Sequence, residues 1–168
     1  MNRTGLLALA LGFALAACSP AAIPLNGDLP KDQAATLREV ENLGGWVDIT
    51  RVDQNPVPEG KAYAVSAGKH KIELVRHSPT SGSSAETYFV KGGGEYVTWD
   101  GCVLDVDPKT DEVRREADQK TGELKDVFRC QPPQLLPADA LECYQKNERT
   151  SEDCKDKTDT WNESSGNE

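Results

Sequence analysis

From Trp46 onward the chain is cut into short runs of alternating apolar and polar residues, each closed by glycine, proline or aspartate. That punctuation leaves little room for anything but hydrogen-bonded strands. The clearest run places His70, Ile72, Leu74 and Arg76 on one face and Lys71, Glu73, Val75 and His77 on the other. Ile72 and Leu74 turn the first face inward. Trp46 to Val52 is rich in β-branched residues, with Val47 and Ile49 on one side, and it ends in the turn chemistry of Asp53-Gln54-Asn55-Pro56 and Pro58-Glu59-Gly60. Tyr63 and Val65 alternate with Ala62 and Ala64. Thr36 to Val40 fits a strand and, through Ala34, Leu37 and Val40, also a short helix; the strand is the favoured reading. Ser78 to Ser84 has the composition of a flexible exposed loop. Thr87–Lys91 and Glu95–Trp99 flank Gly92-Gly93-Gly94 as an expected hairpin with a bulge, and Cys102 to Val106 closes the series.

The front of the chain is different. Arg3 precedes an apolar run from Leu6 to Ala16 that is too short to span a bilayer and right for a signal h-region. It ends in Leu15-Ala16-Ala17-Cys18. This ending resembles the lipobox of bacterial lipoproteins. The resemblance implies removal of residues 1–17 as a signal peptide, a diacylglycerol on the Cys18 thiol and an acylated new amine. Residues 18–34, with Pro20, Pro24 and Pro30, then read as a lipidated tether. No second apolar run of spanning length follows, so the expected chain is tethered and not integral. Ser19 stands where the lipoprotein family often uses Asp for inner-membrane retention, which favours the outer membrane with the folded part facing the periplasm. The rule varies between bacterial groups, so inner-membrane retention and surface exposure stay open.

Charge narrows the partners. The formal net charge is −9, and loss of Arg3 makes it −10. Such an exterior repels nucleic acid and anionic headgroups, so attachment falls to acyl chains, each buried methylene adding roughly 0.8 kcal/mol. A lipid bilayer and an envelope protein are the expected partners, nucleic acid is not, and no cofactor is expected. With 6% aromatic residues and a mean hydropathy of −0.60, the core is modest.

Val47-Asp48-Ile49-Thr50-Arg51-Val52-Asp53, Tyr63-Ala64-Val65 and Ala67-Gly68-Lys69-His70-Lys71-Ile72-Glu73-Leu74 resemble the small β-sandwich modules of bacterial envelope proteins, PEGA-type domains and related lipoprotein domains among them. Those modules run strand, Val-Asp-Gly turn, strand, Pro-Gly-x-His turn, strand. Gln54 replaces the turn glycine and Ala67 the proline. The resemblance covers about residues 35–106 and implies a structural or binding unit with no catalytic residues to carry over.

Beyond Val106 charged residues dominate. Asp107-Pro108-Lys109-Thr110-Asp111-Glu112-Val113 recurs as Asp118-Gln119-Lys120-Thr121-Gly122-Glu123-Leu124, a frame suited to β-turns. Leu124 to Cys130 reads as a returning strand, and Pro132-Pro133 closes the unit. Ala140, Leu141 and Tyr144 sit at helical spacing after Pro137, and residues 156–168 read as a disordered acidic tail.

With Cys18 lipidated, Cys102, Cys130, Cys143 and Cys154 remain, an even number suited to two disulfides in an oxidising compartment. Cys102–Cys130 and Cys143–Cys154 are favoured among three pairings, each contributing roughly 2–4 kcal/mol. If both repeated turns were tight hairpins of a meander, Cys102 and Cys130 would sit at opposite ends, so the pairing predicts one long loop over residues 107–124. The rival zinc site lacks the short ligand spacing such sites use.

Other candidates are weaker. His70 and His77 fall on opposite faces of one strand, so a shared metal is not expected, and His70 reads as a structural turn residue. Asp105, Asp107, Asp111 and Glu116 echo a calcium loop, but Lys109 and Thr110 occupy positions that want an oxygen ligand and a glycine. Gly92-Gly93-Gly94 lacks the following helix that phosphate binding uses, and Ser81 and Ser83 have no histidine in frame. Trp46, Trp99, Tyr63, Tyr88, Phe89 and Tyr96 are core candidates, with an exposed recognition patch as the alternative. The expected fold is mainly β, a small antiparallel β-sandwich over residues 35–106, with a charged extension over 107–155 carrying a short α-helix and two disulfides. Its expected role is that of a non-catalytic accessory or interaction module, the alternative being a ligand- or metal-binding lipoprotein.

Overall fold

The computed structural model describes residues 21–42, 45–146, 152 and 154. The expected signal segment, lipidated Cys18 and the tail 156–168 lie outside the described residues. Chain order runs β1 (Ile23–Pro24), β2 (Ala34–Arg38), β3 (Glu41–Asn42), β4 (Gly45–Val52), β5 (Asn55–Pro56), β6 (Ala62–Ser66) and β7 (Gly68–Arg76). It continues through β8 (Gly82–Val90), β9 (Glu95–Trp99), β10 (Cys102–Leu104), β11 (Arg115–Ala117), β12 (Leu124–Asp126), β13 (Phe128–Cys130) and β14 (Gln134–Pro137). A 3-10 turn, Ala138–Ala140, leads into α1 (Leu141–Gln145). The protein is mainly β, with one short C-terminal helix, as the alternation requires.

Two sheets enclose the core. One has the order β1-β6-β2-β9-β14, the other β3-β4-β7-β8 with β5 beside β4. β7 and β8 pair antiparallel along nine positions, from Gly68↔Val90 to Arg76↔Gly82, and β4 pairs antiparallel with β7. The other sheet is mixed, because β1–β6 and β2–β9 run parallel. Ala35, Leu37, Tyr63, Val65, Tyr96 and Trp99 from one sheet meet Val47, Ile49, Ile72, Leu74, Tyr88 and Val90 from the other. A bulge lies between Ile49 and Arg51. Without it Arg51 would follow Val47 and Ile49 inward; with it Arg51 faces water and Val52 is buried.

Several boundaries move. The expected tether contributes β1, which docks on β6, so chain order begins in the sheet well before residue 35. The Ser-rich loop is short, since β8 already starts at Gly82 and the β7 ladder claims Ser83 and Ser84. Gly92-Gly93-Gly94 is not a hairpin: it carries the chain from β8 in one sheet to β9 in the other. The backbone of residues 32–36 lies against it, with Gly93 N–H donating to Ala34 O (2.8 Å) and Thr36 N–H to Gly94 O (2.9 Å). A Cβ on Gly92 would collide with the Asp32 carbonyl, which is why that position needs glycine.

The largest revision concerns the C-terminal half. β14 pairs antiparallel with β9, and Leu135, Leu136, Ala140 and Tyr144 belong to the main core. Tyr144 packs edge-on against Trp99 with ring centroids 5.1 Å apart. The core therefore does not stop at residue 106, because β9 and Trp99 would otherwise face water.

Between β10 and β13 the repeated turns solve the expected conflict in an unexpected way. Cys102 lies directly opposite Cys130 in the antiparallel β10–β13 pair, Cα atoms 4.1 Å apart, and the two are bridged. Both turns are nevertheless tight, so residues 107–124 are not one long loop. Asp111 N–H donates to Asp107 O (2.9 Å) and Gly122 N–H to Asp118 O (2.8 Å), and Asp111 and Gly122 occupy the same left-handed conformation. Three hairpin arms radiate from one junction instead of stacking as a meander. There Arg114 N–H donates to Asp105 O, Asp105 N–H to Val127 O and Val127 N–H to Arg114 O, at 2.8, 2.8 and 2.9 Å. This closed triangle satisfies the backbone where the three arms part. Since Gly122 sits at φ +70°, Gly122→Ala is expected to lower stability by about 1 kcal/mol and Gly122→Asn by roughly half that, read from urea midpoints.

Candidate functional site

Both expected disulfides form: Cys102–Cys130 staples the base of the three-armed unit, and Cys143–Cys154 holds Cys154 against α1 with Cα atoms 5.8 Å apart. Cys18 lies outside the described residues.

His70 is buried at the start of β7, and its two ring nitrogens are both engaged. Nε2 lies 2.8 Å from the Ser66 carbonyl oxygen, which only accepts, so Nε2 is the donor there. Nδ1 meets Asp53 Oδ2 at 2.6 Å, and Asp53 Oδ1 accepts the Lys71 N–H at 2.9 Å. The Ser66 hydroxyl sits 3.5 Å from Nε2. A serine, a histidine and an aspartate thus come together, but Nε2 is committed to a carbonyl and is not poised as a base towards the hydroxyl. The arrangement instead clamps the β4–β5 turn, where Asp53 and Gln54 both adopt positive φ (50° and 70°), to the crossing from β6 to β7. A metal at His70 would have to displace Asp53 or Ser66. His77, as the alternation required, is on the opposite face, exposed, 2.8 Å from Asp48 Oδ2 and tilted against the Trp46 ring.

The Asp105–Glu116 stretch does not converge. Asp105 is paired with Arg129 (3.1 Å) and Arg114 (3.5 Å), Asp107 caps its own turn through Lys109 N–H, and Glu116 lies exposed on β11. Among the described residues no three His, Cys, Asp or Glu side chains are grouped to hold a metal ion.

Of the aromatic candidates, Tyr63, Tyr88, Tyr96 and Trp99 are buried and Phe89 is half-buried. Trp46 is 47% exposed. It stands on β4 at the rim of a cleft of about 310 Å³ lined by Glu39, Val40, Glu41 and Lys61. A second cleft, of about 500 Å³, shares Glu39 and Lys61 and continues past Asp48, Glu59 and Tyr63. The two clefts adjoin through Glu39 and Lys61 and bring four carboxylates, one ammonium and an exposed indole together.

Its geometry starts from one carboxylate. Glu39, whose side chain is 5% exposed, accepts the Ile49 N–H on Oε1 and the Lys61 ammonium on Oε2, both at 2.8 Å. Lys61 also reaches Asp48 Oδ1 at 3.7 Å. The Ile49 bond fills a gap in the outer edge of β4 between its pairings with β3 and β5, so Glu39 is fixed by the sheet itself. The Lys61 ammonium is held above its usual pKa by the hydrogen bond to Glu39, and more weakly by Asp48. The Tyr63 hydroxyl, 3.0 Å from Gly60 O and 3.1 Å from Pro58 O, is pushed up to about 12, by burial first and then by Glu39, Asp48 and Glu59. Between pH 10 and 12 an unfolded chain releases this proton and the folded one keeps it, so stability falls as pH rises through that window. Tyr88 shifts in the same direction. Absorbance at the tyrosinate band is expected to show Tyr63 and Tyr88 ionising only as the chain unfolds.

Sequence reasoning missed this cleft because Glu39 and Lys61 are 22 positions apart, one just after β2 and the other just before β6, and Trp46 read as core. The protein matches no family model, and neither curated proteins nor solved structures provide a match.

Proposed function

We propose that the protein is a lipid-anchored envelope lipoprotein whose folded part is a non-catalytic interaction module, facing the periplasm from the outer membrane. The observation that carries this reading is Leu15-Ala16-Ala17-Cys18 at the end of a short apolar run behind Arg3. Two disulfides are in keeping with an oxidising compartment. Acyl chains on Cys18 supply durable attachment to a chain too acidic to hold anionic lipid by charge. The resemblance to PEGA-type modules supports a binding role over a catalytic one, and its two turn motifs carry the residues, Asp53 and His70, that clamp one another.

Cys18→Ser tests the reading. The expected result is an unprocessed precursor, heavier by the signal and lacking acyl mass, with loss of the lipid-anchored membrane fraction. Unchanged mass and detergent partition in the variant would overturn it.

A further inference from the structure

We propose that the Glu39–Lys61 cleft, with Trp46 on its rim, docks a basic segment of a partner protein, seating a lysine or arginine side chain against the indole. The inference rests on the interaction-module reading and adds the chemistry of the partner; it does not depend on the lipid anchor.

Three observations carry it. Trp46 and Leu124 are the large apolar side chains exposed among the described residues, and only Trp46 borders this cleft. Glu39, Glu41, Asp48 and Glu59 line the paired clefts against one lining cation, Lys61, a formal excess of three negative charges, with His77 beside Asp48 at 2.8 Å on its outer side. Those carboxylates already hold one ammonium in place, Lys61 at 2.8 Å from Glu39, on an acceptor that Ile49 N–H keeps from swinging away. A cationic side chain arriving beside an exposed indole gains both the ring quadrupole and the cleft's field. The raised Tyr63 phenol, to which Glu39, Asp48 and Glu59 contribute, is consistent with that field. A neutral glycan could stack on Trp46 but would leave the excess charge uncompensated.

The experiment uses the full chain in detergent micelles and a fluorescein-labelled tetra-arginine peptide, followed by anisotropy at low ionic strength and at about 0.15 M salt. Binding is expected to weaken with salt, to fall about fivefold in Trp46→Ala and less in Trp46→Phe. Lys61→Met, which removes the resident competitor, is expected to tighten binding about threefold, an effect that a merely structural lysine would not produce. Equal affinity for wild type and Trp46→Ala overturns the proposal, as does preferential binding of an uncharged chito-oligosaccharide. Photo-crosslinking in intact cells separates the two levels. Crosslinks to an envelope protein that persist in Trp46→Ala overturn the cleft alone, whereas a wild-type chain that crosslinks to none overturns the interaction-module reading with it.

Discussion

Arg76→Ala is expected to destabilise the protein by about 3–5 kcal/mol, enough to unfold much of a domain of ordinary stability. Arg76 is 4% exposed, and its guanidinium is surrounded by backbone carbonyls. Nε donates to Thr80 O at 2.7 Å, and Nη1 to Gln131 O at 2.7 Å and to Asp100 O at 2.5 Å. Nη2 reaches the Thr80 hydroxyl at 3.3 Å. One side chain therefore ties the loop after β7, the β9–β10 turn and the segment just past β13. Removing it strands buried acceptors, each costing about 1–3 kcal/mol, and opens space beside Gly82. Arg76→Met keeps the stem and loses the donors, so it is expected to recover little. Arg76→Lys keeps the charge but not the planar fork, and is expected to fall between Arg76→Met and the wild type. Urea denaturation followed through tryptophan emission measures the series. A loss below about 1 kcal/mol in Arg76→Ala would show that water replaces the guanidinium at those carbonyls.

Leu135→Ala is expected to cost about 2–5 kcal/mol, and a chain stopped after Val106 is expected not to fold at all. Leu135 is fully buried on β14, and its N–H donates to the Tyr88 hydroxyl at 3.3 Å across the core. Stopping at Val106 removes Leu135, Leu136, Ala140 and Tyr144, bares the β9 edge and exposes Trp99. The truncated chain is expected to give a coil-like far-ultraviolet spectrum and no cooperative transition. A folded 1–106 fragment would restore the boundary that composition suggests.

That boundary marks how far the sequence could be read. Alternation placed β4, β6 and β7 correctly and turned Ile72 and Leu74 inward, the burial of His70 and Arg76 on the same face being decided by their partners, and the even cysteine count pointed to two disulfides, in the favoured pairing that forms. These succeed because they depend on neighbours two residues apart or on counting. Charge density after Val106 hid the return to the core, since Gln134–Pro137 is only four residues long and is preceded by Pro132-Pro133, a signal that ordinarily ends a unit. Trp46 read as core because the residue type is usually buried; its position beside Glu41 at the sheet margin leaves it in water.

The order of residues alone therefore determined local conformation: which segments extend and which face of each turns inward. Tertiary structure decided who stands beside whom. The parallel β2–β9 pair, the three hairpins around Asp105, Arg114 and Val127, and the meeting of Glu39 with Ile49 and Lys61 all join residues distant in the chain. Such pairings are selected by the burial and hydrogen bonding of the whole assembly. No window of neighbouring residues contains that sum.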